Sequence, residues 1–133
     1  TSIGQGMVQM TPLELAVMIA AIANGGKRVK PHLISTQTYQ PNMQPESIGI
    51  EPDALKAIQA GLVAVVKEGT GRSLNDGSIP LTAGKTGTAE VQGQEDNALY
   101  VAYGPAEKPE IAIAVVVENG GYGGAAAVPI AHE

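Results

Sequence analysis

The sequence predicts an α/β fold in which an antiparallel sheet is flanked by helices. Two stretches with helical patterns come first, and three stretches with strand patterns follow. The gaps between the predicted strands, residues 92–97 and 104–110, are too short for a crossover helix, so neighbouring strands should run antiparallel. The 133 residues are 44% hydrophobic and 16% charged, with no Phe and no Trp. We therefore expect one globular domain with a core of small aliphatic side chains.

The first predicted helix covers residues 11–24. It opens with a capping box, residues 11–14 (TPLE), in which proline takes the first helical position. Nearly every residue from there to Ala23 is apolar, and residues 24–26 (NGG) end the helix. Because the helix carries one charge and has no polar face, we expect it to be covered on most sides.

The second predicted helix covers residues 52–68 and ends at residues 69–71 (GTG). Its apolar residues fall on one stripe, which predicts an amphipathic, half-exposed helix. The stripe consists of Leu55, Ile58, Leu62, Val65 and Val66. Between the two helices, residues 27–34 are predicted to be extended, and the prolines and glycine of residues 35–51 indicate a loop.

Three strands are predicted at about residues 82–91, 98–103 and 111–117. The last one alternates large and small side chains before it becomes uniformly β-branched, which predicts a central strand buried on both faces. The glycine-rich residues 119–124 indicate a flexible turn. Residues 125–133 are predicted to form the first turns of a final helix.

Composition excludes several classes of function. The chain has 8 basic and 13 acidic residues and a net charge of −5, so nucleic acid is not expected as a partner. There is no cysteine, and neither His32 nor His132 has a partner at a ligand spacing, so we expect no metal and no cofactor. The longest apolar run, residues 15–23, is far shorter than the roughly 20 residues that cross a bilayer, so no membrane segment is expected.

Residues 84–90 (GKTGTAE) combine several groups that can bind an anion. Lys85 supplies a compact positive charge, and the hydroxyls of Thr86 and Thr88 supply donors to an anion. The missing side chain at Gly87 lets the backbone of a ligand lie close to the strand. The segment therefore predicts a surface that holds a carboxylate.

Three segments of the chain also resemble known sequence motifs. The Gly84-Lys85-Thr86 triplet could end a phosphate-binding P-loop, but the first glycine of that motif would stand at Ile79 and a helix would follow. Residues 121–126 (GYGGAA) match a dinucleotide fingerprint, although a glycine hinge between strand and helix explains them better. Residues 73–75 (SLN) fit S-x-N, but they lie in a turn-forming loop.

The chain resembles the C-terminal half of a penicillin-binding protein transpeptidase domain. The resemblance rests on segments in that family's order and approximate spacing: residues 2–6 (SIGQG), 11–16 (TPLELA), 24–26 (NGG), 69–71 (GTG) and 83–90 (AGKTGTAE). Residues 116–121 (VVENGG) are similar to the class B, penicillin-binding protein 2 type. The resemblance implies that the chain is part of the serine transpeptidase and β-lactamase-like fold.

The resemblance also implies a reaction and roles for residues. In the family, a serine attacks D-Ala-D-Ala-terminated stem peptides of peptidoglycan, D-alanine leaves, and the amine of a second stem takes the acyl group; β-lactams acylate the same serine. Lys85 would lend positive potential near the nucleophile, and the Thr86 and Thr88 hydroxyls would bind the carboxylate of substrate or drug. The Thr88 backbone N–H would donate to the oxyanion, and Gly87 would keep the strand edge open to the substrate.

This sequence departs from the family pattern at the nucleophile. None of its serines is followed three residues later by lysine: Ser2, Ser35, Ser47, Ser73 and Ser78. We therefore expect a fragment that is inactive alone, whose partner is the missing N-terminal half of the same domain. The parent is expected outside the cytoplasm, anchored in the inner or cell membrane. A non-catalytic β-lactam-sensing or structural module of the same fold is the alternative.

Overall fold

A computed structural model of the chain describes residues 9–133. In chain order its helices and strands are α1 (Pro12–Ala23), β1 (Lys27–Arg28), β2 (Glu46–Ser47), α2 (Pro52–Lys67), β3 (Ala83–Ala89), β4 (Asn97–Gly104), β5 (Ile111–Val117) and α3 (Gly123–His132). No helix of this part of the chain combines the length and the apolar character that crossing a bilayer requires.

The main sheet has three strands in the order β3-β4-β5, and both pairs are antiparallel. Thr86 of β3 stands opposite Tyr100 of β4, which in turn stands opposite Val115 of β5. Helices pack on the sheet, α1 against β4 and β5, α2 against β3, and α3 against all three strands. The predicted fold class, an antiparallel sheet flanked by helices, is confirmed.

Residues 111–117 form a strand as predicted, but within residues 9–133 that strand has a neighbour on one side only. The central strand is β4, while β5 lies at an edge of the sheet among residues 9–133 and is exposed or half-buried throughout. Helices do cover both of its faces, since Val115 packs on the α3 side and Ala112 on the α1 side. A run of β-branched residues indicates that both faces of a strand are covered. It does not indicate whether the strand has a neighbouring strand on each side.

Helix α1 is less covered than its composition predicted. The capping box forms as expected, with Thr11 N–H donating to Glu14 Oε2 at 2.7 Å and Glu14 N–H donating to Thr11 Oγ1 at 3.2 Å. The sheet buries Ile19, whereas Leu13 remains 58% exposed and Met18 40% exposed. Within the described part of the chain, the helix contacts the sheet on one side only.

The extended segment predicted for residues 27–34 is shorter in the structure. Only β1 forms, and it pairs with β2, whose two residues lie inside the predicted loop 35–51. The rest of that loop contains two short 3-10 helices, Ser35–Tyr39 and Pro41–Met43. The pair forms a separate two-stranded sheet, and β1 also contacts α1.

Two hydrophobic cores lie on opposite faces of the main sheet, and together they hold strand β3 in position. On one face, Tyr100 packs against Val66 of α2 and Val128 of α3. On the other, Tyr103 packs with Ile19 of α1 and Leu62 of α2. Strand β3 is therefore held where the end of α2 and the beginning of α3 come together.

Candidate functional site

An open groove of about 730 Å³ runs along the exposed part of β3. Its lining comes from three places: the loop after α2, strand β3, and the start of α3. The residues are Glu68, Gly69, Thr70, Arg72, Lys85, Thr86, Gly87, Thr88, Tyr122, Gly123 and Gly124. All four residues that the sequence singled out, Lys85 to Thr88, therefore lie in one groove.

Lys85 is the cation on the strand itself. Its side chain is exposed, and its ammonium donates to the carbonyl oxygen of Thr86 at 2.7 Å. An ammonium has three hydrogens to donate, so this bond leaves two for a ligand. Lys85 makes no ion pair with a carboxylate within residues 9–133. Its charge is thus available to an anion in the groove.

The Thr86 hydroxyl has a partner that the sequence did not indicate. Thr86 Oγ1 lies 2.6 Å from Thr70 Oγ1, a short O–H···O hydrogen bond in which either oxygen can donate. Thr70 belongs to the GTG segment, for which the sequence predicts only the end of a helix. The two glycines around a threonine, close after a helix, were the available signal of a tightly folded loop.

The Thr88 hydroxyl lies at the beginning of α3. Gly123 N–H points at Thr88 Oγ1 with an N···O distance of 3.5 Å, a long hydrogen bond. A Cβ at Gly123 would overlap the carbonyl oxygens of Gly87 and Leu99, so only glycine lets α3 begin directly on the sheet. The N-cap residue Tyr122 makes no side-chain capping bond. The positive end of the helix dipole therefore faces the groove beside Thr88.

The two glycines of the motif have packing reasons of their own. A Cβ at Gly84 would overlap the phenol oxygen of Tyr100 and lie 2.6 Å from its Cζ. A Cβ at Gly87 would lie 3.3 Å from Cβ of Leu99 on the neighbouring strand, which is tighter than most such contacts. Glycine at 87 was predicted to admit a ligand, and the sheet also favours it there.

The phenol of Tyr100 packs against β3 at Gly84. Tyr100 has no exposed surface, and burial raises the pKa of its hydroxyl to about 12. The nearby Thr82 hydroxyl offsets only part of this rise, and within the described residues neither hydroxyl has a hydrogen-bond partner of good geometry. Tyr100 is therefore neutral at ordinary pH and acts in packing.

The electrostatics of the groove favour an anion. Lys85 and Arg72 are cations on its lining, Glu68 is the acid, and the N-terminal end of α3 adds partial positive charge. Two threonine hydroxyls and the available hydrogens of the lysine converge on the same space. Groups of this kind bind a carboxylate through charge-assisted hydrogen bonds.

The alternative motifs do not match the geometry. Strand β3 continues to Ala89, so Lys85 and Thr86 do not begin a helix as a P-loop requires, and that alternative was wrong. The strands before residues 121–126 are antiparallel, unlike a dinucleotide-binding unit, and these glycines connect β5 to α3. Ser73 lies in the 3-10 helix Arg72–Leu74, outside the groove lining. Of the other serines, 35, 47 and 78 also lie outside it, and Ser2 is outside the described residues.

The chain is similar to known proteins along its whole length. The family model for the penicillin binding protein transpeptidase domain matches residues 1–133. The peptidoglycan D,D-transpeptidase MrdA of Acinetobacter baumannii is 38% identical, and the match covers 95% of this chain and 22% of that protein. PbpA of Mycobacterium tuberculosis, with the same enzyme name, is 37% identical over 98% of this chain and 29% of its own length.

Solved structures show the same similarity. The structure of Pseudomonas aeruginosa PBP2 in complex with WCK 5153 superposes with a TM-score of 0.82 and 38% identity, covering 97% of this chain and 29% of that one. The ceftriaxone acyl-enzyme complex of penicillin-binding protein A from M. tuberculosis gives a TM-score of 0.81 and 31% identity, covering 98% and 33%. This chain thus spans between a fifth and a third of the length of these relatives.

Proposed function

The chain belongs to the penicillin-binding protein transpeptidase family, in its penicillin-binding protein 2 type, and on that premise we propose that it forms one wall of a peptidoglycan D,D-transpeptidase active site. The observation that supports this most is the groove on β3, where Lys85, Thr86 and Thr88 meet the beginning of α3. The wall binds the carboxylate end of the ligand. Two relatives carry the name of this enzyme, and one is solved as an acyl-enzyme with ceftriaxone.

The substrate class is a stem peptide that ends in D-Ala-D-Ala. Its terminal carboxylate lies between the Thr86 and Thr88 hydroxyls, with the charge of Lys85 nearby. The carboxylate of a β-lactam takes the same place. Both ligands present a planar anion next to the carbonyl group that is attacked, so one wall serves for both. Charge-assisted hydrogen bonds to the carboxylate hold that carbonyl group in register with the strand.

The reaction is an acyl transfer in two steps. A serine oxygen attacks the carbonyl carbon of the penultimate D-alanine, its proton passes to a base, and the terminal D-alanine leaves as a protonated amine. The amine of a second stem peptide then attacks the acyl ester and releases the serine. In each step, charge develops on the carbonyl oxygen, and the Thr88 backbone N–H is one donor to it. Loss of such a donor typically lowers the rate about 100- to 1000-fold.

The nucleophile lies on polypeptide outside this sequence. No serine here is followed three residues later by lysine, and none of the serines within residues 9–133 lines the groove. The serine, its base and the opposite wall of the site therefore come from the rest of the transpeptidase domain. The complete protein acts on peptidoglycan outside the cytoplasm, and it is held there by a membrane anchor.

Acylation of the complete protein by a fluorescent penicillin tests this function. We expect a labelled band, and we expect Lys85→Ala to slow labelling about tenfold or more through loss of a charged donor. Lys56→Ala is the matched control, because Lys56 is exposed on α2 and lies outside the groove lining. Equal labelling rates for the parent and Lys85→Ala would show that Lys85 does not have this role.

A second measurement separates the enzyme from the alternative module. The complete protein is incubated with a D-Ala-D-Ala peptide and an amine acceptor, and release of D-alanine is followed. Labelling with turnover supports the transpeptidase. Labelling without turnover would favour a sensing module. The absence of both labelling and turnover would favour a structural role.

A further inference from the structure

We propose that the hydroxyl of Thr70 is a positioning group that orients the Thr86 hydroxyl toward the carboxylate of the ligand. The two hydroxyl oxygens are 2.6 Å apart, at the short end of the range for O–H···O hydrogen bonds. Both residues line the groove together with Lys85. This role of Thr70 rests on the proposed function, because it concerns how the same groove binds an anion.

The backbone holds Thr70 firmly in place. After α2, the N–H groups of Gly69 and Gly71 both donate to the carbonyl oxygen of Val65, at 3.0 and 3.1 Å. A Cβ at Gly69 would lie 2.9 Å from that oxygen, so the chain folds back on the helix end only with glycine there. From the other side, a Cβ at Gly124 would come within 3.1 Å of the Thr70 carbonyl oxygen. Thr70 thus lies between the end of α2 and the beginning of α3.

The direction of the hydrogen bond follows from the chemistry of the ligand. A carboxylate only accepts hydrogen bonds, so the Thr86 hydroxyl must donate its one hydrogen to the ligand. The Thr86 oxygen is then free to accept, and Thr70 becomes the donor. Hydrogen bonds in such a chain polarise one another, which strengthens the bond to the anion.

Thr88 has the same arrangement with a different donor. Its oxygen faces the N–H of Gly123, a group that can only donate, so the Thr88 hydrogen is also free for a ligand. Each threonine hydroxyl of the motif therefore has a protein donor behind it. For Thr88 the donor is the backbone of α3, and for Thr86 it is the side chain of Thr70.

The test compares acylation of the complete protein by penicillin G and by its methyl ester, which lacks the carboxylate charge. Thr70→Val removes the hydroxyl and keeps the branched shape. We expect it to lower the second-order rate constant for the acid about fivefold and to leave that for the ester unchanged. Thr70→Ser keeps a donor and should restore most of the rate. Thr36→Val, at an exposed position outside the groove, is the matched control.

A double-mutant cycle separates positioning from local folding. If Thr70 acts through Thr86, then Thr70→Val has no further effect in a Thr86→Val background. An equal loss for acid and ester, an undiminished loss in that background, or no loss at all would overturn the role of Thr70. Should Thr70→Val lower the melting temperature, Thr70→Ala deletes the hydroxyl without the branched side chain. A parent protein that penicillin G does not acylate would instead overturn the proposed function, and this role with it.

Discussion

Tyr100 lies so close to Gly84 that a Cβ on the glycine would overlap the phenol oxygen. The two residues are on neighbouring strands, and Gly84 stands opposite Ala102, two positions beyond Tyr100. The tyrosine therefore crosses β3 on the side of the sheet that α3 covers. The first glycine of GKTG is thus required by the packing of Tyr100 against the strand.

Gly84→Ala is expected to destabilise the protein by about 1–3 kcal/mol, because the methyl group must displace a buried ring or the backbone of Val101. Thermal unfolding of the complete protein measures the change. Gly61→Ala is the control, since an added Cβ at this helical position meets nothing within 4 Å. That control should gain about 0.5–1 kcal/mol from helix propensity. Equal melting temperatures for Gly84→Ala and the parent would show that Tyr100 yields without cost.

Gly123→Ala is expected to lower both the rate of acylation and the stability of the fold. Its Cβ would overlap the carbonyl oxygens of Gly87 and Leu99, so the start of α3 must move away from the groove. A displacement of about 1 Å at a binding group can cost about a hundredfold in rate. Labelling kinetics with penicillin and the melting temperature are measured together. Gly124→Ala, whose Cβ would meet Thr70 O at 3.1 Å, should show a smaller loss, and the reverse order would contradict this packing.

Tyr100→Phe is expected to change how stability depends on alkaline pH. Burial raises the pKa of Tyr100 from 10.0 to about 12, so between these values the folded state binds more protons than the unfolded state. Stability is therefore lost as pH rises through this window. The variant lacks this loss, and its stability relative to the parent should improve steadily above pH 10.

Chemical denaturation at a series of pH values measures that difference. Tyr39→Phe is the control, because Tyr39 is 86% exposed and its relative stability should not vary in the same way. At neutral pH, Tyr100→Phe should cost little, since within the described residues the phenol oxygen has no hydrogen-bond partner. A constant difference from neutral to alkaline pH would show that the hydroxyl is not buried in solution.

Glu14→Ala is expected to weaken α1 in a pH-dependent way. Hydrogen bonds from the backbone and side chain of Thr11 lower the pKa of Glu14 below its ordinary value of 4.5. The carboxylate therefore stabilises the folded state above that value, and this contribution is lost as pH falls through the lowered pKa. The difference in melting temperature between variant and parent should be larger at pH 7 than at pH 3. Glu107→Ala, at an exposed loop position, should show no such change.

Local patterns were sufficient for the elements that their own residues define. The capping box placed the start of α1, the apolar stripe placed the buried face of α2, and the short gaps indicated antiparallel strands. Local patterns failed where contacts with residues far away in the chain determine the structure. The composition of residues 111–117 could not show that β4, and not β5, lies between two other strands within residues 9–133. Nor could the GTG segment show that Thr70 reaches Thr86, because that contact joins the loop after α2 to strand β3.

The sequence by itself determined the fold class and the family, and it predicts that residues 84–90 hold a carboxylate. The fold class follows from periodicity and spacing, the family from motifs in a characteristic order, and the predicted site from residue chemistry, all of which a linear chain displays directly. Only the tertiary structure decided which groups surround the motif: Tyr100 against Gly84, Thr70 beside Thr86 and the first residue of α3 against the strand backbone. Such contacts join residues far apart in the chain, and they depend on how helices and strands pack, which no local pattern encodes.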